Sequence, residues 1–193
     1  DGMVEVALFA DILTMKEALE FDKHVRKAGD FQMTSCCCPI WISMLRKEKW
    51  MDHVPGAVSP MIAAGRVVKR LHPEALTVFI GPCLAKKAEA READVADAVD
   101  YVLTFQEVND LFEAAKIDPK TLPERGRDHS SRAGRIYART GGVSEAVTKT
   151  VRQLRSDGKS IQVKAEQADG VSDCRKLLER FRKGDSDANF LEG

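Results

Sequence analysis

Along the chain, apolar residues that alternate or run unbroken give way to apolar residues recurring every three to four positions, so the two periods predict strands and helices in turn. MVEVALFA (3–10) alternates and then becomes continuously apolar, which predicts a half-buried to buried strand. Thr14 with Glu17 has capping-box spacing, and Met15, Ala18, Leu19 and Val25 recur at helical spacing, predicting a helix that runs to Gly29. WISMLRKEKW (41–50) is helix-compatible. Ser59 and Pro60 supply an N-cap and a first-turn proline for the helix MIAAGRVVKRL.

The second half repeats the theme. LTVFI (76–80) predicts a strand ended by Gly81-Pro82, after which CLAKKAEAREA turns helical; DYVLT (100–104) predicts a strand, and Thr104 with Glu107 caps the helix FQEVNDLFEAAK. Asp118 to Ala138 is polar with little periodicity and predicts a long loop. Gly141-Gly142 precedes the helix VSEAVTKTVRQLR, and strand SIQVKAE (160–166), helix VSDCRKLLERFRKG and strand ANFLE (188–192) follow. Strands alternating with helices of this length predict an α/β fold with mostly parallel strands. Two small α/β lobes divided near the 118–138 loop are one way to organise it.

Composition narrows the function classes. The 193 residues carry 30 Lys+Arg against 30 Asp+Glu, so no broad basic surface for nucleic acid is expected. No apolar run approaches the ~20 residues that span a bilayer, and no secretory signal opens the chain, which together predict a cytoplasmic protein. Both ends look cut, at DGMVEV and at DANFLEG, so a stretch of a longer protein is expected.

Five cysteines, an odd number without disulfide-like spacing, fit a reducing compartment. Three are adjacent, Cys36, Cys37 and Cys38, beside a proline and a tryptophan. Thiolates bind soft or borderline metals, but neighbouring cysteines point in different directions, so three in a row seldom ligate one ion. Cys83 follows a strand and opens a helix, where a parallel sheet places functional loops and where a helix N-terminus favours thiolate. Cys174, alone on an amphipathic helix, reads as a packing residue. His24, His53, His72 and His129 are scattered and read as surface or packing residues. Arg66, Lys69 and Arg70 share a helix face, which is a solvated charge run or a dock for an acidic electron carrier.

TSCCCPIW followed by SPM, then FIGPCLAKKAEA, then RTGGVSEAV resembles the large-subunit catalytic domain of iron-only hydrogenases. DGVSDCRKLLERFRKGDSDANFLEG resembles the stretch before that family's last cysteine motif, so the likeness runs from about residue 8 to the end. The resemblance implies an H-domain-like fold and an enzyme that reversibly oxidises dihydrogen to protons and electrons. Its cofactor would be a 4Fe–4S cluster joined through a shared thiolate to a two-iron subcluster carrying CO and cyanide, together the H-cluster. Its partners would be a ferredoxin-like electron carrier or fused iron–sulfur domains, and cluster maturation proteins.

Counting without a gap, the resemblance makes Cys38 a cubane ligand and Cys37 the thiol that relays a proton; shifting by one makes the pair Cys36 and Cys37. Cys83 matches the second cubane ligand. Lys86 matches the lysine that hydrogen-bonds a cyanide ligand, with Glu89 orienting or charge-balancing the same helix. Glu17 and Glu20 match proton-path glutamates, on a helix face opposite Met15, Ala18 and Leu19; without the resemblance they read as a solvated face. RTGGVSEAV, a glycine-rich approach to a helix, could bind an anion and is a structural turn in the family.

Departures point to a divergent branch. The family's last two cysteines would follow Gly193, so this stretch supplies at most two of the four thiolates and is expected to hold no assembled cluster. A family methionine is Gly81 here, and a proton-path serine falls near Pro55, which has neither hydroxyl nor amide proton. Three further readings stay open: a hydrogen or redox sensor, a non-catalytic iron–sulfur assembly protein, and a zinc or thiol-redox site in this stretch.

Overall fold

The computed structural model describes residues 2–25, 33–124, 126, 129–155 and 162–193. In order these form α1 (Ala7–His24), β1 (Met33–Thr34), α2 (Pro39–Lys47), α3 (Pro60–Leu71), β2 (Val78–Gly81), α4 (Ala85–Glu89), β3 (Tyr101–Thr104) and α5 (Phe105–Ala114). Then come α6 (Arg132–Ile136), α7 (Gly142–Leu154), β4 (Ala165–Gln167), α8 (Val171–Lys183) and β5 (Phe190–Glu192). Short 3-10 turns stand at Met51–His53 and Pro119–Thr121. Every strand pair among the described residues is parallel, as expected of an α/β fold.

The chain divides into two compact units. One holds Asp1–Glu5 and Met61–His129; the other holds Val6–Pro60 and Ser130–Gly193. In the first, β2 and β3 pair from Val78 against Tyr101 to Gly81 against Thr104. Thr104 caps α5 reciprocally with Glu107, as their spacing predicts. Gly65 on α3 lies so near the Ala98 carbonyl that a Cβ would stand 2.3 Å from the oxygen, so only glycine permits this approach.

In the second unit the sheet order is β1-β5-β4. Successive side chains on a strand face opposite ways, and β5 shows the consequence. Phe190 joins a core with Ala18 and Phe21 of α1 and Val143, Val147 and Val151 of α7, whereas Leu191 joins a separate core with Trp41 and Leu45 of α2 and Leu177 and Leu178 of α8. Helices therefore cover both faces of a short parallel sheet.

The start of the chain differs from the sequence expectation. Residues 3–5 are irregular, and α1 begins at Ala7, inside the run predicted as a strand. From Val6 to Ala10 that run is apolar throughout, so its period is ambiguous; Phe9, Leu13 and Glu17, with Ala10, Thr14, Ala18 and Phe21, instead define a buried helical face. Thr14 is not a cap but lies mid-helix, its hydroxyl donating to the Ala10 carbonyl at 2.8 Å. Met15 and Leu19, expected inside, are exposed. The helix predicted to run to Gly29, itself outside the described residues, ends at His24. Of the strand predicted over 160–166, residues 160 and 161 lie outside the described residues, 162–164 are irregular, and β4 begins at Ala165.

The 118–138 stretch is not all loop. Ser131 caps α6, and the Asp11 carboxylate of α1 accepts from the Ser131 and Gly134 amides at 2.6 and 2.9 Å. A long-range carboxylate thus orders a segment that has little periodicity of its own.

Candidate functional site

Cys36, Cys37 and Cys38 bridge β1 and α2, with Pro39 as the first residue of the helix. The backbone here is pinned by β5, since Ser35 N–H donates to the Leu191 carbonyl at 2.9 Å. The three side chains diverge, as adjacent residues must. Cys36 is buried, Cys37 packs against the core that contains Phe190, and Cys38 packs against the core that contains Leu191. None of the five cysteines is in a disulfide.

Glu17 is the polar centre of this unit. It lies on the inward face of α1 with no exposed surface, the reverse of the solvated face that its neighbours suggested. Its Oε1 accepts from Cys36 Sγ at 3.0 Å and from the Tyr137 hydroxyl at 3.1 Å. Its Oε2 is buried and has no hydrogen-bond partner among the described residues. Burial pushes the carboxyl pKa up to about 7, and the two donors oppose that shift only in part. Glu17 is therefore a buried acid poised between its neutral and ionised forms near pH 7.

Glu20, one turn on, is placed differently. It is partly exposed, accepts from the Gly56 amide at 3.2 Å, and sits 3.9 Å from Lys16. Pro55 is buried beside that amide, so the donor available to Glu20 is a backbone N–H rather than a serine hydroxyl.

Tyr137 is the residue that sequence reasoning missed. It follows α6, is 5% exposed within the Phe190 core, and stands 120 residues from Glu17. Its one signal was position, two residues before RTGGVSEAV. That glycine-rich motif does receive an anion, but an internal one: the Glu192 carboxylate accepts from the Val143 and Ser144 amides at 3.4 and 2.8 Å at the start of α7. Gly141 makes the turn with φ of 78°, and a Cβ on Gly142 would overlap the Ile136 carbonyl.

The other unit carries Cys83, Lys86 and Glu89. Cys83 lies between β2 and α4 and is half-buried. Lys86 Nζ donates to Glu89 Oε2 at 2.6 Å, both side chains largely buried at 13% and 14% exposed. The carboxylate thus balances and fixes the ammonium. Gly81 ends β2, and the Phe79 ring lies 2.7 Å from where a Cβ would be.

Cys174 packs with Leu177, Leu178, Trp41 and Leu191, and burial pushes its thiol pKa up, as suits an inert core cysteine. Two of the three basic residues on α3 are paired, Arg66 with Asp97 at 2.9 Å and Lys69 with Asp100 at 2.7 Å, while Arg70 is exposed.

Thiol donors suit iron–sulfur chemistry, and Cys38 and Cys83 are half-buried, free, and held in short segments beside parallel strands. Among the described residues no group of three or more His, Cys, Asp or Glu side chains gathers as a metal site. The donor chemistry fits such a cluster, but this stretch supplies only part of its ligand set. No described helix is long and apolar enough to cross a membrane.

Comparisons with known proteins agree with the resemblance read from the motifs. The family described as "Iron only hydrogenase large subunit, C-terminal domain" matches residues 1–193. Iron hydrogenase 1 of Clostridium pasteurianum is 26% identical over 194 residues, covering 91% of this chain and 34% of the relative. The NADP-reducing hydrogenase subunit HndD of Solidesulfovibrio fructosivorans is 28% identical over 211 residues, covering 97% of this chain and 36% of the relative. The chain thus spans about a third of the length of these curated relatives. Among solved structures, the FeFe-hydrogenase HydA(deltaEFG) superposes with a TM-score of 0.76 at 22% identity, over 100% of this chain and 66% of that one. An apo FeFe-hydrogenase HydA1 variant from Chlamydomonas reinhardtii gives 0.73 at 22% identity, over 97% of this chain and 65% of that one. At that identity the superpositions speak for the fold.

Proposed function

The chain belongs to the iron-only hydrogenase large-subunit family, and from that premise we propose that it is part of a catalytic domain that interconverts dihydrogen with protons and electrons. The observation that carries this reading is the Glu17 carboxyl, wholly buried, bonded to a thiol of the Cys36–Cys38 run and poised near neutrality. A carboxyl with those properties can hold and release a proton at working pH.

Cys83 together with Cys38, or with Cys37 if the register shifts by one, would hold the 4Fe–4S cluster, whose two-iron partner supplies the hydrogen chemistry when bound; the remaining thiolates would come from protein beyond this stretch. Cys36, already donating to Glu17, supports the register in which Cys36 is the relay thiol and Cys37 the ligand, in place of Cys37 and Cys38. Lys86, fixed by Glu89, would present its ammonium to an anionic ligand of the two-iron centre. Glu20 would continue the proton path toward solvent, with the Gly56 amide holding it where Pro55 offers no hydroxyl.

A ferredoxin-like carrier or fused iron–sulfur domains would supply electrons. Maturation proteins would install the cluster, and a cytoplasmic location would suit both. The direct test is to express the complete gene with that machinery and measure H2 evolution from a reduced dye. Turnover supports the assignment; infrared bands of bound CO and cyanide without turnover count against it.

One pair of observations favours a second reading, a hydrogen or redox sensor on the same scaffold. Gly81 and Pro55 replace two groups of the family's site, and a sensor need not turn over quickly. A signalling domain elsewhere in the gene, with slow turnover, would favour it.

A further inference from the structure

Two donors meet on one oxygen of Glu17. Tyr137 O–H and Cys36 S–H both point at Oε1, and a carboxyl oxygen has two lone pairs, so Oε1 is saturated as an acceptor. A proton on this carboxyl must then sit on Oε2, the oxygen that is buried and without a partner among the described residues. Rotating the protonated carboxyl by half a turn would turn its O–H against the two donors and break both bonds at once. The arrangement thus distinguishes two oxygens that free glutamic acid leaves equivalent.

Packing alone does not account for Tyr137. The ring lies in the apolar core with Phe21, Val147 and Phe190, where phenylalanine would fill the space without a hydroxyl to satisfy. A buried hydroxyl is costly unless bonded, and its bond goes to Glu17. Burial also drives the phenol pKa far upward, so the hydroxyl remains a donor at any working pH.

We propose that Tyr137 is a positioning residue for Glu17: with Cys36 it fixes Oε1 as the carbonyl oxygen and leaves Oε2 as the one that carries and passes the proton. The consequence for hydrogen turnover rests on the function proposed above, whereas the positioning itself does not.

The test separates the two. In the full-length apoprotein, the carbonyl stretch of protonated Glu17 is identified by infrared difference against Glu17→Gln. Tyr137→Phe, which keeps the ring, is expected to move that band to higher wavenumber because the carbonyl loses one of its two hydrogen bonds. Cys36→Ala moves it likewise, and Cys36→Ser, which restores a donor, returns it toward the wild-type position. A band unchanged in Tyr137→Phe, in a protein that melts at the wild-type temperature, assigns Tyr137 to packing and overturns the proposal. In the matured enzyme Tyr137→Phe lowers H2 turnover about tenfold, the order expected for one net hydrogen bond. A wild type without turnover overturns the hydrogenase reading while the band shift still decides the role of Tyr137.

Discussion

Glu17 and Glu107 are both carboxylates that accept two or more hydrogen bonds, yet their surroundings drive them in opposite directions. Glu17 is enclosed in the sheet-and-helix core of its unit and meets only neutral donors, so burial dominates and its pKa rises to about 7. Glu107 stands at the start of α5, accepts from Lys87 at 2.5 Å and from Thr104, and falls to about 2. Asp100 in the same unit, held by Lys69 and by the Thr77 amide and hydroxyl, also falls to about 2. The charge of the donors and the access of water decide the sign. Carboxylates answered by cations and amide protons stay ionised and do structural service, whereas one answered by a thiol and a phenol keeps its proton up to near neutral pH.

The largest expected difference is catalytic. In the matured full-length protein, Glu17→Gln should lower H2 evolution by about a hundredfold or more, the scale of losing a positioned proton-transfer group. Glu107→Gln should leave the rate within about twofold, since Glu107 caps a helix. Rates with a reduced dye at fixed pH make the comparison, and equal losses would break it.

Stability should show the same contrast as a function of pH. The folded pKa of Glu17 is raised above its ordinary value of 4.5, so the unfolded chain ionises first. Below about pH 4.5 the carboxyl is neutral in both states and adds no pH-dependent cost; stability then falls as pH rises to about 7 and levels off beyond. The shift corresponds to about 3 kcal/mol. Glu17→Gln, neutral at every pH, should match the wild type at pH 4 and exceed it by that amount at pH 8, as read from denaturant midpoints. No pH-dependent gap between the two would mean that Glu17 is ionised in the folded protein.

These contrasts were unevenly legible in the sequence. The α5 cap was readable because its partners lie three residues apart, and α7, α8 and the paired strands β2 and β3 were readable because each has a clear period and a glycine or a cap at its boundary. The face of α1 was not. Helical spacing marked Met15 and Leu19 as inward and Glu17 as solvated, but Glu17 is buried by groups 19 and 120 residues away, which no local window contains. The cysteine run pointed to its chemistry through residue type, while the divergence of its three side chains onto different surroundings depends on the turn from β1 into α2. Motif order made the family legible at a point where the geometry of the acid was not.

A smaller effect sharpens the structural side. Thr104→Ala removes the hydroxyl that accepts from the Glu107 amide and donates to its carboxylate, and should cost about 1 kcal/mol. Urea midpoints of wild type and variant at pH 7 should show it, with no change in H2 turnover.

The smallest effect tests whether cations set the ionisation of the first unit. Asp100 splits its work: Oδ2 takes the Thr77 amide at 2.7 Å and hydroxyl at 2.8 Å, while Oδ1 takes Lys69. Asparagine can keep its carbonyl on Thr77, but its NH2 then faces an ammonium that it cannot accept from. Because the folded pKa is depressed, the contribution of Asp100 is present above about pH 4 and is lost as pH falls toward 2. Asp100→Asn should therefore cost less than about 1 kcal/mol at pH 7, shrink in high salt, and vanish at pH 2. A loss of the same size at pH 2 and pH 7 would place the stabilisation in the Thr77 hydrogen bonds rather than in the Lys69 pair, and would remove charge from the contrast with Glu17.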